Sequence, residues 1–325
     1  MDYIKLVTAF FTAVFINSSV LNEVVLPDFN LYPKHTSVDE NDPFLIKKFK
    51  LSGAGNLIVK TSGGAITVVG QQGNDVKVEM YVKKGKGGFF SIGSSIEKAL
   101  EDYTITIEQD GNTIRAIAEA HNDGGWFTEK PSISFKVYIP HHVSSDLKTS
   151  GGSIQVSDLD GEQKIRTSGG SIKCSAIRGN TEAKTSGGSI RIESYEGKLD
   201  ATTSGGSIQV KKGSGKLRVH TSGGSISLDE VAGAIDASTS GGSIKANIVE
   251  LEEYLILSTS GGSIHANIPS RKGLDLDLKG SSVITQLQNF EGRKEKDHII
   301  GTMHGGGTVV KMKTSGGNVN LAFAK

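Results

Sequence analysis

Residues 164–177 run Lys164-Ile165-Arg166-Thr167-Ser168-Gly169-Gly170-Ser171-Ile172-Lys173-Cys174-Ser175-Ala176-Ile177, and this stretch decides the fold. Ile165 and Thr167 alternate with Lys164, Arg166 and Ser168, which is the period of two of a half-buried strand. After Gly169-Gly170 the alternation resumes with Ile172 and Cys174 on the buried side and Lys173 and Ser175 on the exposed side. Across the two glycines the phase slips by one residue, and a slip of one turns every side chain to the other face. The chain must therefore bend or bulge there, where a missing Cβ opens dihedrals closed to other residues.

Outward from this stretch, Thr-Ser-Gly-Gly begins at Thr61, Thr149, Thr167, Thr185, Thr203, Thr221, Thr239, Thr259 and Thr314. From Thr149 to Thr239 the step is 18 residues five times over, and the next step, to Thr259, is 20. A second turn falls near Gly161, Gly179, Gly197, Gly215 and Gly233, also 18 apart. Each unit is thus two short strands and two corners. Such a unit cannot bury its apolar face alone but can do so on a copy of itself, which predicts a parallel β-helix of eighteen-residue coils. Stacking sets equivalent residues in columns about 4.8 Å apart. One inward column holds Ile154, Ile172, Ile190, Ile208, Ile226 and Ile244; the other holds Leu147, Ile165, Ala183, Ala201, Val219, Ala237 and Leu257. The threonines Thr149, Thr167, Thr185, Thr203, Thr221, Thr239 and Thr259 share the phase of the second column. We expect them to point inward with the hydroxyl bonded along the stack, because a buried hydroxyl needs a partner. This structural reading is set against the alternative that the motif is itself a ligand site. The hexapeptide left-handed helix needs an aliphatic residue every six positions; from Ile154 the series meets Asp160 and Arg166, so it is rejected.

The rest of the chain is organised around these coils. Residues 1–21 carry Lys5 and a short apolar run, Leu6 to Ile16. The run is too short for a bilayer span of about 20 residues and is expected to be a signal peptide; an apolar strand or cap is the alternative. Residues 22–50 form a lead or cap and residues 51–70 a first coil. Residues 71–140 are expected to be an antiparallel β insertion, with Asp110-Gly111 as a hairpin turn and a short helix over Ser95 to Asp102. Residues 141–325 return to the solenoid, ending in a C-terminal cap.

Val137-Tyr138-Ile139-Pro140 followed by Leu147-Lys148-Thr149-Ser150-Gly151-Gly152-Ser153-Ile154-Gln155-Val156 resembles the entry into the bacterial "putative adhesin" β-helix family of unknown function, over roughly residues 50–325. In that family a strand ending in Pro leads into coils of Thr-Ser-(Ser/Asn)-Gly-Asp-Ile type. This chain has Gly-Ser in place of Gly-Asp, which removes a column of carboxylates. The resemblance implies an all-β chain folded as a single-stranded right-handed parallel β-helix, an exported bacterial protein and an adhesive role.

Net charge is +1 over 325 residues with 22% charged, a balance that argues against a nucleic-acid binder. The single cysteine, Cys174, leaves no disulfide framework and occupies an inward position as a structural thiol. Gly213-Ser214-Gly215-Lys216 fails as a phosphate loop, with Val210 in place of the required glycine and Leu217 in place of Ser or Thr. His141-His142 has no surrounding Cys or carboxylate cluster and is expected to be a surface turn, not a metal pair. No cofactor and no metal are expected.

A carbohydrate-active β-helix, lyase-like or hydrolase-like, would need clustered carboxylates and bases on one face. The outward columns contain Lys148, Arg166, Lys184, Thr202, His220 and Ser238, and Gln155, Lys173, Arg191, Gln209, Ser227 and Lys245. They are mildly basic in the first coils, and no carboxylate column is expected beside them. We therefore expect no catalysis. Lys148, Arg166, Lys184, Lys173 and Arg191 are the candidate ligand face, suited to an anionic polysaccharide because stacked like charges add their fields. Gly87-Gly88-Phe89-Phe90 and Gly124-Gly125-Trp126-Phe127 form either an exposed aromatic patch or a plug for the end of the stack. The expected function is an exported structural or adhesive binding module whose partner is a polysaccharide or an envelope protein. The alternatives are the carbohydrate-active β-helix and a scaffold for envelope sensing or assembly.

Overall fold

In the repeat region each strand lies parallel to the next with identical motif positions opposite one another. The computed structural model describes residues 42–83, 100–121, 131–270 and 273–324. Their 22 strands are all linked in one hydrogen-bonded sheet. Ile172–Thr185 stacks between Ile154–Thr167 on one side and Ile190–Ile192 with Tyr195–Thr203 on the other. Its register sets Ile172 opposite Ile154 and Ile190, and Thr185 opposite Thr167 and Thr203. Each pairing is an eighteen-residue step, so the sequence columns are physical columns. Ile172, Cys174, Ile177, Ala183 and Thr185 point into the core, while Lys173, Arg178 and Lys184 point out.

Hydrogen bonding runs through one of the two corners expected for each unit, so Ile172–Thr185 is a single strand of 14 residues. The chain turns within it where Ala176 sits at φ 50° and Gly179 at φ 92°. Equivalent left-handed positions recur at Asp158, Lys212 and Glu230, and at Gly161, Gly197, Gly215 and Gly233.

The motif glycines work differently from expectation. None lies in the left-handed region, so unusual dihedrals are not what they supply. The second glycine of each motif is pressed against the level before it: a Cβ on Gly170, Gly188 or Gly206 would stand 2.0–2.1 Å from the carbonyl oxygen of Gly152, Gly170 or Gly188. That carbonyl is the one bonded by the motif threonine. Thr167 Oγ1 donates to Gly152 O, Thr185 to Gly170 O and Thr203 to Gly188 O, each at 2.8 Å. The hydroxyl oxygen then accepts from the N–H of its own second glycine, as in Gly170 N to Thr167 Oγ1 at 3.3 Å. The buried threonine is thereby satisfied twice, and close backbone approach explains the glycine.

Spatial order departs from chain order at both ends. Gly55–Thr61 and Ile66–Gln71 pair directly with Val143–Thr149 and Ile154–Thr167, so the level of Thr61 sits immediately before that of Thr149. Thr113–Ala120 and Ser132–Pro140 stack in parallel on the other side of that level. Residues 71–140 are thus only partly the antiparallel insertion expected: half of their strands make a level of the stack. Tyr103–Asp110, Asp75–Lys83 and Leu45–Lys50 add to it antiparallel. The reason lies in Ile114, Ala116, Ile133, Phe135 and Val137, whose inward positions cover an apolar column that would otherwise be open to water. At the other end Thr308–Thr314 and Val319–Ala324 insert against Ile244–Thr259 and Ile264–Pro269. Leu274–Lys279 and Val283–Thr285 lie outside them. The nine Thr-Ser-Gly-Gly motifs therefore form one unbroken column, with the levels lacking the motif at its two ends. Thr149 Oγ1 reaches Gly64 O at 2.9 Å and Thr314 Oγ1 reaches Gly262 O at 2.7 Å.

The first end is stitched across. Lys47 Nζ donates to Ile107 O at 2.9 Å and Gln109 Nε2 to Lys50 O at 2.8 Å. Lysines on an edge strand also discourage a further strand from adding. Most of the helix expected over 95–102 lies outside the described residues.

Candidate functional site

The stacking register converts the basic residues found by motif spacing into one longer line. Lys60 stands opposite Lys148, Lys148 opposite Arg166, and Arg166 opposite Lys184. The line continues through Thr202, His220, Ser238 and Ser258 to Lys313, Lys279 and His298. The column is basic at both ends and neutral in its middle. Lys60 and Lys313 escaped the sequence reading, although each directly precedes a motif threonine just as Lys148 and Lys184 do. Aligning all nine motifs would have found them. Lys279 and His298 carry no motif signal, and only the out-of-order stacking brings them in.

The expectation that no carboxylates stand beside the basic column is corrected by the structure. The adjacent outward column, two residues earlier in each level, runs Asp146, Lys164, Glu182, Asp200, so three of its four members here are carboxylates. Arg166 bonds Glu182 at 3.1 Å and approaches Asp146 at 4.0 Å, and Lys184 pairs with the same Glu182. Lys184 and then Arg166 hold the Glu182 carboxyl below its usual range, against the opposing pull of burial. Partnering of this kind follows from period two: residues i and i+2 share a face, so Glu182 and Lys184 are neighbours by construction. Lys60 and Lys148 have no ion pair among the described residues. Lys173 and Arg191 stack on each other across the bend from this column. They too have no ion pair among the described residues, and the structure does not bring them together with Lys148, Arg166 and Lys184.

At the far end Asp277 is held between Lys313 at 2.8 Å and His298 at 3.1 Å. Burial pulls the pKa of the Asp277 carboxyl up, but the bonds from Lys313 and His298 prevail and leave it below its usual value. At the near end, on the other row, Glu79 accepts from Lys77 at 2.8 Å and from the Tyr81 hydroxyl at 2.8 Å, while Lys77 lies 4.2 Å from the Tyr138 ring centre. Burial and the Glu79 hydrogen bond push the Tyr81 hydroxyl up to about 12.

The remaining candidates separate clearly. Cys174 is fully buried, and burial pushes its thiol up to about 12, which makes it inert as a nucleophile. His141 Nδ1 bonds the Asp158 carbonyl at 2.8 Å and His142 pairs with Asp160 at 3.1 Å. Among the described residues no group of three or more His, Cys, Asp or Glu converges as a metal site would require. Phe89, Phe90, Trp126 and Phe127 lie outside the described residues. A cleft of about 470 Å³ opens at the last level, between Ile284 and Thr285 on one row and Met303 and His304 on the other; nothing in the sequence pointed to it.

Several solved structures are similar to this chain. One, described as a "putative adhesin" from Parabacteroides merdae ATCC 43184, is 15% identical with a TM-score of 0.45, covering 85% of this chain and 95% of that one. Another with the same description, from Bacteroides fragilis NCTC 9343, is 12% identical with a TM-score of 0.41, covering 86% and 96%. A third, described as a "putative lipid binding protein" from Parabacteroides distasonis ATCC 8503, is 13% identical with a TM-score of 0.38, covering 88% and 98%. No curated protein matches the chain. The Toastrack DUF4097 family matches residues 58–322, most of the chain, and the protein belongs to that family.

Proposed function

We propose that this protein is an exported, non-catalytic β-solenoid, wound as a right-handed helix of coils of about eighteen residues, that acts as a structural or adhesive module at the cell envelope. Its partner is an extended anionic polysaccharide. The observation that carries this reading is the pair Lys60 and Lys148, without an ion pair among the described residues, at the head of a basic column whose members are fixed by the stack. Charges about 4.8 Å apart on a rigid ladder add their fields, and a polyanion lying along the ladder meets them without either partner reorganising. The lack of catalysis is supported by how the ionisable side chains are used. Arg166 and Lys184 are both engaged by Glu182, and the only thiol is buried.

The test is a glycan array and a cell-wall pull-down with the secreted form, comparing wild type with Lys60→Ser/Lys148→Ser. These two positions are preferred because replacing Arg166 or Lys184 would also strand Glu182. We expect saturable binding that weakens as salt rises and is lost in the double variant. Binding that is equal in both proteins, or absent from both, refutes the polyanion face.

A further inference from the structure

The basic column has a count and a spacing, and both bear on what lies along it. Lys60, Lys148, Arg166 and Lys184 stand on four successive levels, each opposite the next. Uncharged residues in the same register bound the run: Ile117 stands opposite Lys60, and Thr202 opposite Lys184. With levels about 4.8 Å apart, the run presents a cation at every level over about 14 Å.

A column of hydroxyls runs beside it. Each of the four cations is followed two residues later by a motif serine, Ser62, Ser150, Ser168 or Ser186, and the threonine between them is buried. Residues two apart share a face, so cation and hydroxyl are presented together. The serines are stacked as the cations are: Ser168 N donates to Ser150 O and Ser186 N to Ser168 O, both at 3.2 Å. All four serines are exposed. Four levels thus repeat one arrangement, a cation beside a hydroxyl. In the next level the serine persists as Ser204, but Thr202 stands in place of the cation.

Given the basic column as a polyanion face, on which this rests, we propose that these four levels are four subsites for a linear polyuronate, a 1,4-linked chain with a carboxylate on every sugar residue, bound at one residue per level. A cation at every level matches a charge on every residue. An alternating copolymer, with a neutral sugar between acidic ones, leaves every second cation without a partner. The serines match a polymer that carries hydroxyls between its charges, which polyphosphate lacks. The flexible stems of Lys60, Lys148 and Lys184 let their ammonium groups follow the twist of the sugar chain. Arg166 and Lys184 are engaged by Glu182, yet a guanidinium and an ammonium each keep further N–H donors for an incoming carboxylate.

The experiment titrates the full-length protein calorimetrically, at several salt concentrations, with oligomers of 1,4-linked galacturonic acid from dimer to hexamer. Hyaluronan oligosaccharides and inorganic polyphosphate are the comparison probes. We expect affinity to rise about two- to fivefold with each residue up to the tetramer. The slope of log affinity against log salt, which follows the number of charges engaged, should steepen up to the tetramer and then hold. A hyaluronan oligosaccharide with four carboxylates, meeting only every second cation, should bind about tenfold more weakly than the tetramer. Thr202→Lys adds a fifth cation at an outward position that Lys184 already occupies one level earlier, so the fold accommodates it; the slope should then steepen up to the pentamer. Equal binding of hyaluronan or of polyphosphate overturns the polyuronate assignment and leaves the polyanion face standing. A slope that ignores Thr202→Lys, or that never levels off, overturns the four subsites. If none of the three polymers binds, the face itself is refuted and the subsites with it.

Discussion

The second glycine of the repeat motif offers the sharpest test of the architecture. In Gly206→Ala the new Cβ would lie 2.1 Å from Gly188 O and 2.5 Å from Gly188 C. Both obstructing atoms are backbone, held in the stack on either side, so neither can swing away as a side-chain tip would. Overpacking of this kind typically costs about 1–3 kcal/mol. The displaced carbonyl is also the acceptor for Thr203 Oγ1 at 2.8 Å, and losing that bond at a buried site adds about 1–3 kcal/mol. The two together predict a loss of about 2–6 kcal/mol, whose upper half is among the larger effects of a single substitution. Gly205→Ala is the matched control one residue away: its Cβ meets nothing nearer than Gly187 O at 3.4 Å, so stability should change by about 0.5 kcal/mol or less. Thr203→Val isolates the hydrogen-bond component and should fall between them, at about 1–2 kcal/mol. Equilibrium unfolding in guanidinium, followed by far-UV circular dichroism, ranks the three variants against wild type. If Gly206→Ala and Gly205→Ala unfold at the same midpoint, close approach is not why the motif has its second glycine, and the register described above is wrong.

Two further outcomes follow from the titrating groups. Because burial pushes the Cys174 thiol up to about 12, the folded protein should resist iodoacetamide at pH 8 and react at once in denaturant; rapid labelling of the native state would place Cys174 outside the core. The Glu182 carboxyl is lowered from 4.5 in the folded state by Lys184 and Arg166, so the unfolded chain binds its proton first. Its contribution to stability is complete above pH 4.5 and is lost as pH falls through the depressed folded value. A denaturation series from pH 6 to pH 2 should therefore show a smaller acid-induced loss in Glu182→Gln than in wild type, and identical pH profiles would mean that the pairing with Arg166 and Lys184 contributes nothing.

Local pattern carried much of the architecture. Period-two alternation around Thr167 assigned inward and outward faces, and the eighteen-residue step aligned the columns from Ile154 to Ile244, because both depend only on neighbours in the chain and on copies of one unit. The candidate face was half legible. Lys148, Arg166 and Lys184 followed from the step, but Glu182 was overlooked although it lies on the same face two residues before Lys184. The motif glycine was recognised as necessary for the wrong reason: its need arises from the carbonyl of another level, and no local conformational argument contains that carbonyl.

What the sequence determined by itself is the unit: two strand segments, a buried threonine and a glycine that tolerates contact, repeated until stacking becomes unavoidable. What only the tertiary structure decided is the order of the levels. Thr61 precedes Thr149 by 88 residues and Thr314 follows Thr259 by 55, yet these motifs are neighbours in the column. The physical reason is that a motif threonine needs a carbonyl from an adjacent level, while a strand needs only a partner edge. Either kind of level supplies that carbonyl, as Ile133 O does for Thr61 Oγ1, so the order of the levels is free of chain order: those bearing the motif stack in the middle and those without it serve as ends. That rearrangement brings Lys60 to the head of the basic column.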